Sequence, residues 1–204
     1  QVAGLDVGTQ ARQVRRHIGL TGQRTAVDDL LTARQNLTMF GRLFRLDKTA
    51  ARRRADELLE MFSLTEAASR VPKTFSGGMR RRLDLAASMI LAPQVLFLDE
   101  PTAGLAPEAA ASLWKDLLAL AGSGVTIFLT THNLAEAQRV CSLVGVMREG
   151  RLLATGPPGA LVSRSERSLR FSGRGFGDSL VQRLGMRPDV ADVRVADGAL
   201  VVDL

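Results

Sequence analysis

The chain has 204 residues, 46% of them hydrophobic and 24% charged, a composition that suits one globular domain with a small appendage. Its formal net charge is +6, but aromatic residues make up only 4% and tyrosine is missing, so a stacking platform for single-stranded nucleic acid is poorly supplied. The absence of any apolar run of about 18 residues excludes a membrane-spanning helix, and a single cysteine, Cys141, excludes an internal disulfide.

The start of the chain bears on completeness and location. Residue 1 is Gln1 rather than Met, and the sequence after it lacks the basic-then-apolar pattern of a signal peptide. We therefore expect a soluble or peripheral protein, and we expect that part of the natural chain is missing.

The first half of the chain alternates strand-like and helical patterns. Residues 13–20 predict a short strand, and Gln23 lies just beyond it. Residues 33–71 repeat apolar side chains at helical spacing, which predicts a helical block inserted between strands. Residues 83–91 predict a further helix, which Pro93 ends.

Two continuous apolar runs follow and predict strands buried on both faces. They are "VLFLDEP", residues 95–101, and "VTIFLTTH", residues 125–132. Helices are predicted between and after them, over residues 107–121 and 134–141. This order of strands and helices predicts an α/β domain with a parallel sheet.

The last part of the chain has a different character. A hairpin is predicted to turn at residues 149–150, followed by a short helix over residues 157–163. From about Ser165 the pattern indicates strand, helix, strand and strand, with Asp197-Gly198 as the last turn. We expect a small accessory unit here.

Polar residues at the ends of the two apolar strands predict a phosphoryl-transfer site. Ligands of open α/β sheets bind outside the carboxyl ends of the strands, where Asp99 and Glu100 follow the first run. Asp99 is suited to hold Mg²⁺, and Glu100 to orient and polarise an attacking water. His132 ends the second run, so it would lie close to Glu100 if the strands are neighbours. Taken singly, the acids could be an ordinary strand end and the histidine a structural one.

The stretch "SGGM", Ser76, Gly77, Gly78 and Met79, predicts an anion cradle. Serine is a good helix cap, and two glycines let backbone amides approach a ligand at the positive end of a helix. An ordinary loop-to-helix cap would look the same, and we interpret residues 80–82, three arginines, as plain helix surface.

Taken in order, these motifs resemble the ATP-binding cassette (ABC) family of ATPases. The resemblance covers most of residues 1–163, and "SGGMRRRLDLA" at residues 76–86 resembles the daunorubicin-resistance type of drug exporter. It implies that Gln23 is the Q-loop glutamine, which touches Mg²⁺ together with Asp99. It also implies that Glu100 and His132 are catalytic, and that the "SGGM" stretch binds the nucleotide held by a second subunit.

The same resemblance implies the architecture and the partners. The fold would be α/β, a partial P-loop NTPase (ABC ATPase) fold whose parallel sheet carries a helical subdomain at residues 33–92. Residues 1–163 would form the ATPase domain, and residues 164–204 a small α+β C-terminal extension. The cofactors would be ATP and Mg²⁺. The protein would work as a homodimer or heterodimer of ATPase subunits with an integral-membrane permease, on the cytoplasmic face of the membrane, in drug or antibiotic efflux.

Two departures from the family pattern limit this interpretation. No Gly-Lys pair of a phosphate-binding P-loop occurs in the 204 residues, so we expect that the loop precedes Gln1 and that this chain alone binds ATP weakly. Ala106 stands where the family carries the aspartate of its D-loop, which puts hydrolysis or coupling between sites in doubt.

Two other functions remain open. A soluble ABC ATPase acting on nucleic acid would use the basic charge, although we expect no nucleic-acid partner. A non-catalytic cassette could instead lend "SGGM" to an intact subunit without turning over nucleotide of its own.

Overall fold

In the computed structural model, residues 1–23, 25–162, 168–172, 178–187, 190, 192–196 and 199–203 are described. The chain divides into two compact units, Gln1–Leu134 and Ala135–Leu204. The domain boundary predicted between residues 163 and 164 falls outside the described residues and stays a prediction. Within the described ranges, no helix is both long and apolar enough to cross a bilayer.

Helices and strands alternate along the first unit, as the sequence predicted. They are α1 (Ala11–His17), β1 (Ile18–Thr21), α2 (Ala33–Leu43), α3 (Lys48–Met61), α4 (Gly77–Ser88), β2 (Val95–Asp99), α5 (Pro107–Gly122) and β3 (Thr126–Thr130), with 3-10 turns at Thr65–Ala67 and Pro72–Thr74. The helix α6 (Leu134–Val140) follows.

The first unit is built on a parallel sheet in the order β1-β2-β3. In β2 the buried side chains are Leu96 and Leu98, and α4, which also carries buried apolar side chains, contacts the neighbouring strand β1. That helix lies close to β1 at Gly19, where an added Cβ would come within 2.6 Å of the Ser88 carbonyl oxygen. The close contact requires glycine at this position.

The helical block predicted over residues 33–71 consists of α2 and α3. Thr32 caps α2 through a capping box with Gln35, and Asp47 caps α3. Their facing side chains are fully buried, which makes this block a second apolar centre of the unit; they include Leu37, Ala51, Ala55, Leu58 and Phe62.

Three sequence predictions for the first unit are corrected. Residues 13–20 are not one strand, because α1 occupies Ala11–His17; this stretch is rich in arginine and glutamine, which favour helices. The helix predicted over 83–91 begins earlier, at Gly77, with Ser76 as its cap. The second apolar run is not buried: Phe128 is 61% exposed, since β3 pairs only with β2 among the described strands.

After α6, the described residues of the second unit form two antiparallel sheets and two short helices. Its elements are β4 (Val144–Arg148), β5 (Arg151–Gly156), α7 (Pro158–Val162), β6 (Ser168–Ser172), α8 (Asp178–Gly185), β7 (Asp192–Ala196) and β8 (Ala199–Asp203). The hairpin β4-β5 turns at Glu149 and Gly150, both with positive φ, as predicted. Along the chain, β6, α8, β7 and β8 follow the predicted order of strand, helix, strand and strand, and the strands form a sheet in the order β6-β8-β7. The predicted turn Asp197-Gly198 lies outside the described residues.

Candidate functional site

The carboxyl ends of the three parallel strands meet at one edge of the sheet. The register pairs Thr21 at the end of β1 with Leu98, and Asp99 at the end of β2 with Thr130. The segments after the strands therefore begin side by side, which is the arrangement that the sequence predicted.

A depression of about 480 Å³ lies at this edge, a size typical of small-molecule sites. Gln23, Glu100 and His132 line it together, so three of the four predicted strand-end residues meet in one place. Gly77 lines the same depression, so the first residue of α4 lies beside the strand-end residues rather than apart from them.

Glu100 and His132 are in direct contact. The Oε1 atom of Glu100 lies 2.9 Å from Nδ1 of His132, while the histidine side chain is 82% exposed and the glutamate side chain 22% exposed. An imidazole N–H can donate to a carboxylate, so His132 can orient the Glu100 side chain. This pairing is suited to aligning a water molecule at the edge of the sheet.

The backbone of Glu100 is in the left-handed region, with φ 47°. Such a conformation costs a non-glycine residue about 1–3 kcal/mol, so the surroundings must stabilise it. The Glu100 N–H donates to the backbone oxygen of Thr130 at 3.1 Å, across the two neighbouring strand ends. The turn directs the glutamate side chain towards His132 instead of continuing the strand.

Asp99 lies at the same edge but is engaged with its neighbour. The Thr130 hydroxyl donates to Asp99 Oδ1 at 2.5 Å, and the Thr130 Oγ1 in turn accepts from the Glu100 N–H at 3.2 Å. Thr130 therefore orients both acidic residues, a role that the sequence analysis missed.

The oxygen donors at this edge fit Mg²⁺ better than a softer metal. Asp99 offers a carboxylate, Gln23 an amide oxygen, and no cluster of three or more acidic, histidine or cysteine ligands exists among the described residues. Magnesium commonly uses one or two protein oxygens and takes its other ligands from water and phosphates.

The predicted cap at "SGGM" is present. Ser76 Oγ accepts a hydrogen bond from the Met79 N–H at 3.2 Å, and both Ser76 and Gly77 are exposed. Helix packing explains why residue 78 is glycine, because an added Cβ would lie 2.9 Å from the Ala109 Cβ of α5. One glycine is therefore needed for helix packing, and the other leaves backbone exposed beside the depression.

The three arginines of α4 are not plain helix surface, contrary to the sequence interpretation. Arg80 forms an ion pair at 3.1 Å with Asp29, which follows the loop around Gln23 in the sequence. Arg82 pairs with Asp116 of α5 at 2.9 Å. Between them, the side chain of Arg81 turns inward and is 9% exposed. Each arginine thus fastens α4 to a different segment.

Arg81 has a buried carboxylate partner on the same helix. Asp84 Oδ2 lies 3.7 Å from Arg81 Nη1, and the Asp84 side chain is 5% exposed. Burial lowers the pKa of Arg81, an effect that the charges of Asp84 and Asp99 oppose. Burial also raises the pKa of Asp84, against the opposing effects of the Ala26 amide and Arg81. The sequence contained a signal for the burial of Asp84, since "LDL" at residues 83–85 places an acid between two leucines of an apolar helix.

Ala106 is the N-cap residue of α5. Its backbone has the extended conformation of a cap, φ −62° and ψ 150°, but its methyl group makes no capping hydrogen bond. An aspartate at this position would cap the helix, so the departure seen in the sequence removes a local interaction.

A larger depression of about 830 Å³ lies on the helical block, away from the strand ends. Its charges pair with one another, for example Arg34 with Asp56 at 2.7 Å, and no predicted site residue lines it. The smaller depression is therefore the candidate site.

Comparison with known proteins supports the resemblance. The family model described as ABC transporter matches residues 1–103. A daunorubicin resistance ATP-binding protein of Streptomyces coeruleorubidus is 58% identical over 160 residues, which is 78% of this chain and 50% of that protein. A Nod factor export ATP-binding protein I of Neorhizobium galegae is 42% identical over 161 residues, 79% of this chain and 46% of that protein.

Among solved structures, a part of the ABC transporter complex cbiONQ from Clostridium perfringens has a TM-score of 0.68. It is 24% identical, and the match covers 87% of this chain and 66% of that one, so it shows the fold. The predicted α/β fold of ABC ATPases is therefore confirmed. This chain spans about half the length of the curated relatives it matches. From the family match and the drug-resistance relatives, the chain belongs to the ABC transporter family.

Proposed function

We propose that this chain is part of the ATP-hydrolysing subunit of an exporter, in which ATP binding closes a dimer of subunits and drives a separate membrane permease. The contact of Glu100 with His132 beside Gln23 supports this most directly, because it joins an acid and an imidazole at a strand-end depression. Relatives named for daunorubicin resistance and for Nod factor export support export as the process. The subunit would sit peripherally on the cytoplasmic face of the membrane.

In the proposed mechanism, Glu100 orients and polarises the water that attacks the terminal phosphate of ATP. His132 holds the Glu100 carboxylate in place through Nδ1. Asp99 and Gln23 would hold Mg²⁺, which when bound neutralises charge on the phosphates. The exposed Ser76 would face the nucleotide held by a second subunit.

The phosphates themselves need a binding loop that these 204 residues do not contain, because no Gly-Lys pair occurs in them. The loop would belong to sequence outside this chain or to the partner subunit. The coding sequence on both sides would distinguish the two: an in-frame upstream P-loop and a neighbouring membrane-protein gene would support the exporter subunit.

The test compares the protein expressed from its complete coding sequence with its Glu100→Gln variant. We expect the variant to bind a fluorescent ATP analogue within about 3-fold of the unsubstituted protein and to lose roughly 100-fold or more in the rate of phosphate release. The reason is that the amide keeps the shape of the side chain but no longer polarises water.

Glu108→Gln is the matched control, since Glu108 is an exposed acid in the first turn of α5 and does not line the depression. It should hydrolyse ATP at the normal rate. Near-normal turnover in Glu100→Gln, or no ATP binding by the unsubstituted protein, would overturn the proposal.

A second candidate function is that of a non-catalytic cassette which lends "SGGM" to an intact subunit. The uncapped Ala106 and the missing Gly-Lys pair favour it. Mixing the protein with an intact relative and following both co-elution and the rate of ATP hydrolysis tests this function. A changed rate that depends on Ser76 would support it, while no co-elution and no change would exclude it.

A further inference from the structure

The Arg81 side chain donates hydrogen bonds to backbone oxygens of two separate loops at the candidate site. Its guanidinium donates to Gly22 O at 2.6 Å, to Asp99 O at 3.0 Å and to Pro101 O at 3.0 Å, with Glu100 O at 3.4 Å. The first acceptor immediately precedes Gln23, and the other three surround and include Glu100. One side chain is thus bonded to the backbone beside both residues.

Asp84, one turn further along α4, completes the arrangement. Its Oδ1 accepts a hydrogen bond from the Ala26 N–H at 2.8 Å. The Gln23 loop is therefore held before Gln23 by Arg81 and after it by Asp84. The two side chains lie 3.7 Å apart, so each reduces the cost of burying the charge of the other.

The chemistry of these contacts requires arginine. A guanidinium is planar and carries five N–H donors in a fixed geometry, so it can bond several carbonyl oxygens in different directions at once. A lysine ammonium is a compact charge on a flexible chain and would bond one loop at the expense of the other. Burying a charged pair is a costly way to obtain stability alone, which suggests a use in placing the loops.

We propose that Arg81 and Asp84 are positioning residues that hold the backbone around Gln23 and Glu100 in register with the "SGGM" end of α4. This inference rests on the proposed function, because the residues being positioned are the ones assigned to ATP hydrolysis. The pair acts on these two residues through hydrogen bonds to the backbone.

The unusual conformation of Glu100 gives the pair its importance. The left-handed backbone at φ 47° is bracketed by the oxygens of Asp99, Glu100 and Pro101, and Arg81 donates to all three. Without the guanidinium, the Asp99 and Pro101 oxygens lose this donor, whereas the Glu100 oxygen keeps the Ala103 N–H at 3.1 Å. The glutamate side chain would then sample other directions instead of pointing towards His132.

The experiment uses the protein expressed from its complete coding sequence and the variants Arg81→Met and Arg81→Lys. We expect each to lower kcat for ATP hydrolysis by roughly 100-fold, the scale expected when a catalytic group is misplaced by about 1 Å. Binding of a fluorescent ATP analogue should stay within about 3-fold, because the Arg81 guanidinium is engaged with backbone oxygens in the unsubstituted protein. Lysine should fail to rescue, since charge alone does not bond both loops.

Arg82→Met is the matched control. Arg82 is the next residue of the same helix, carries the same charge and bonds α5 instead of the strand ends. The Arg82→Met variant removes one contact between α4 and α5 and leaves both loops in place. Its kcat should therefore stay within about 2-fold of normal at a temperature where the protein is folded. Asp84→Asn is a milder second variant, since its amide oxygen still accepts from Ala26.

Amide hydrogen exchange separates this inference from the proposed function. In Arg81→Met, exchange should accelerate at residues 22, 23, 25 and 26 and at residues 99 and 100, while the amides of α2 and α3 stay protected. Arg82→Met should leave the exchange at these residues unchanged. If the unsubstituted protein proves to have no ATPase activity but this local pattern is found, the positioning role stands and the proposed function fails. Normal kcat in Arg81→Met, or unchanged exchange in both loops, overturns the inference.

Discussion

Glu100 shows how a single residue can be oriented by its neighbours. Its N–H is held by Thr130, its carbonyl group lies near Arg81, and its carboxylate contacts His132. A left-handed backbone costs about 1–3 kcal/mol and persists only where surrounding contacts determine it. Backbone strain at this one position fits a residue whose role depends on the orientation of its side chain rather than on a contribution to stability.

The buried carboxyl of Asp84 yields a prediction about pH. Because burial raises its pKa in the folded protein above the ordinary value of 3.8, the folded state binds the proton more tightly than the unfolded state. Its contribution to stability is therefore fully present below pH 3.8 and is lost as pH rises through the raised pKa. Arg81 stays charged over this pH range, so it only limits how far the pKa of Asp84 is raised.

The measurement is the free energy of unfolding by urea, from pH 3.5 upward in small steps, for the 204-residue chain and for Asp84→Asn. We expect the stability of the unsubstituted chain relative to the variant to fall with rising pH and then to level off. A relative stability that rises over the same range would mean that Arg81 lowers the pKa of Asp84 more than burial raises it.

Helix α4 begins in the "SGGM" stretch and contacts both the strand ends and α5, and its two glycines have different roles. Gly78 has the Ala109 Cβ 2.9 Å from where its own Cβ would be, whereas the nearest atom at Gly77 is Leu105 Cδ2 at 3.4 Å. Only Gly78 is therefore required by the packing of α4 against α5.

We predict that Gly78→Ala lowers the free energy of unfolding by about 1–3 kcal/mol, the usual cost of overpacking, and that Gly77→Ala changes it by less than about 1 kcal/mol. Urea unfolding of the 204-residue chain measures both. Equal losses in the two variants would show that Ala109 does not set the requirement. A stable Gly77→Ala variant can then report on nucleotide approach alone.

Helix α5 begins without a side-chain cap, and this makes Ala106 a favourable site for substitution. We predict that Ala106→Asp and Ala106→Asn each raise the free energy of unfolding by about 1 kcal/mol, because the backbone already has the extended conformation of a cap. Ala103→Asp, in the exposed turn before the helix, is the control and should have little effect.

The two capping variants also separate stability from activity. Aspartate and asparagine cap alike, but only aspartate restores the charge that the family carries here. A gain in ATP hydrolysis in Ala106→Asp alone would assign the charge a role beyond the cap. If Ala106→Asp and Ala106→Asn were no more stable than the control Ala103→Asp and the unsubstituted chain, the capping argument would be contradicted.

At the scale of the whole molecule, sequence reasoning predicted which residues meet at the carboxyl ends of the strands, because the signals for these strand ends are local. The apolar runs ended at acids and a histidine, and parallel strands bring such ends together, as the register of Asp99 with Thr130 shows. The capped start of α4 was likewise visible in Ser76.

The remaining features depend on tertiary contacts, which spacing alone does not determine. Arg81 looked like solvated surface because its acceptors are backbone oxygens far away in the sequence. Phe128 looked buried because an apolar run does not say how many neighbours a strand has. The α1 stretch was ambiguous because its few apolar side chains fit either a strand or a helix.

The most direct test of the proposed arrangement is the mass in solution of the Glu100→Gln protein, expressed from its complete coding sequence, by light scattering. A site completed by "SGGM" of a second subunit should trap a dimer when ATP cannot be hydrolysed. We expect the mass to double with ATP and Mg²⁺, to stay monomeric with ADP, and not to double with ATP when Ser76→Arg is added. An unchanged mass with bound ATP, or a dimer indifferent to Ser76→Arg, would contradict the arrangement.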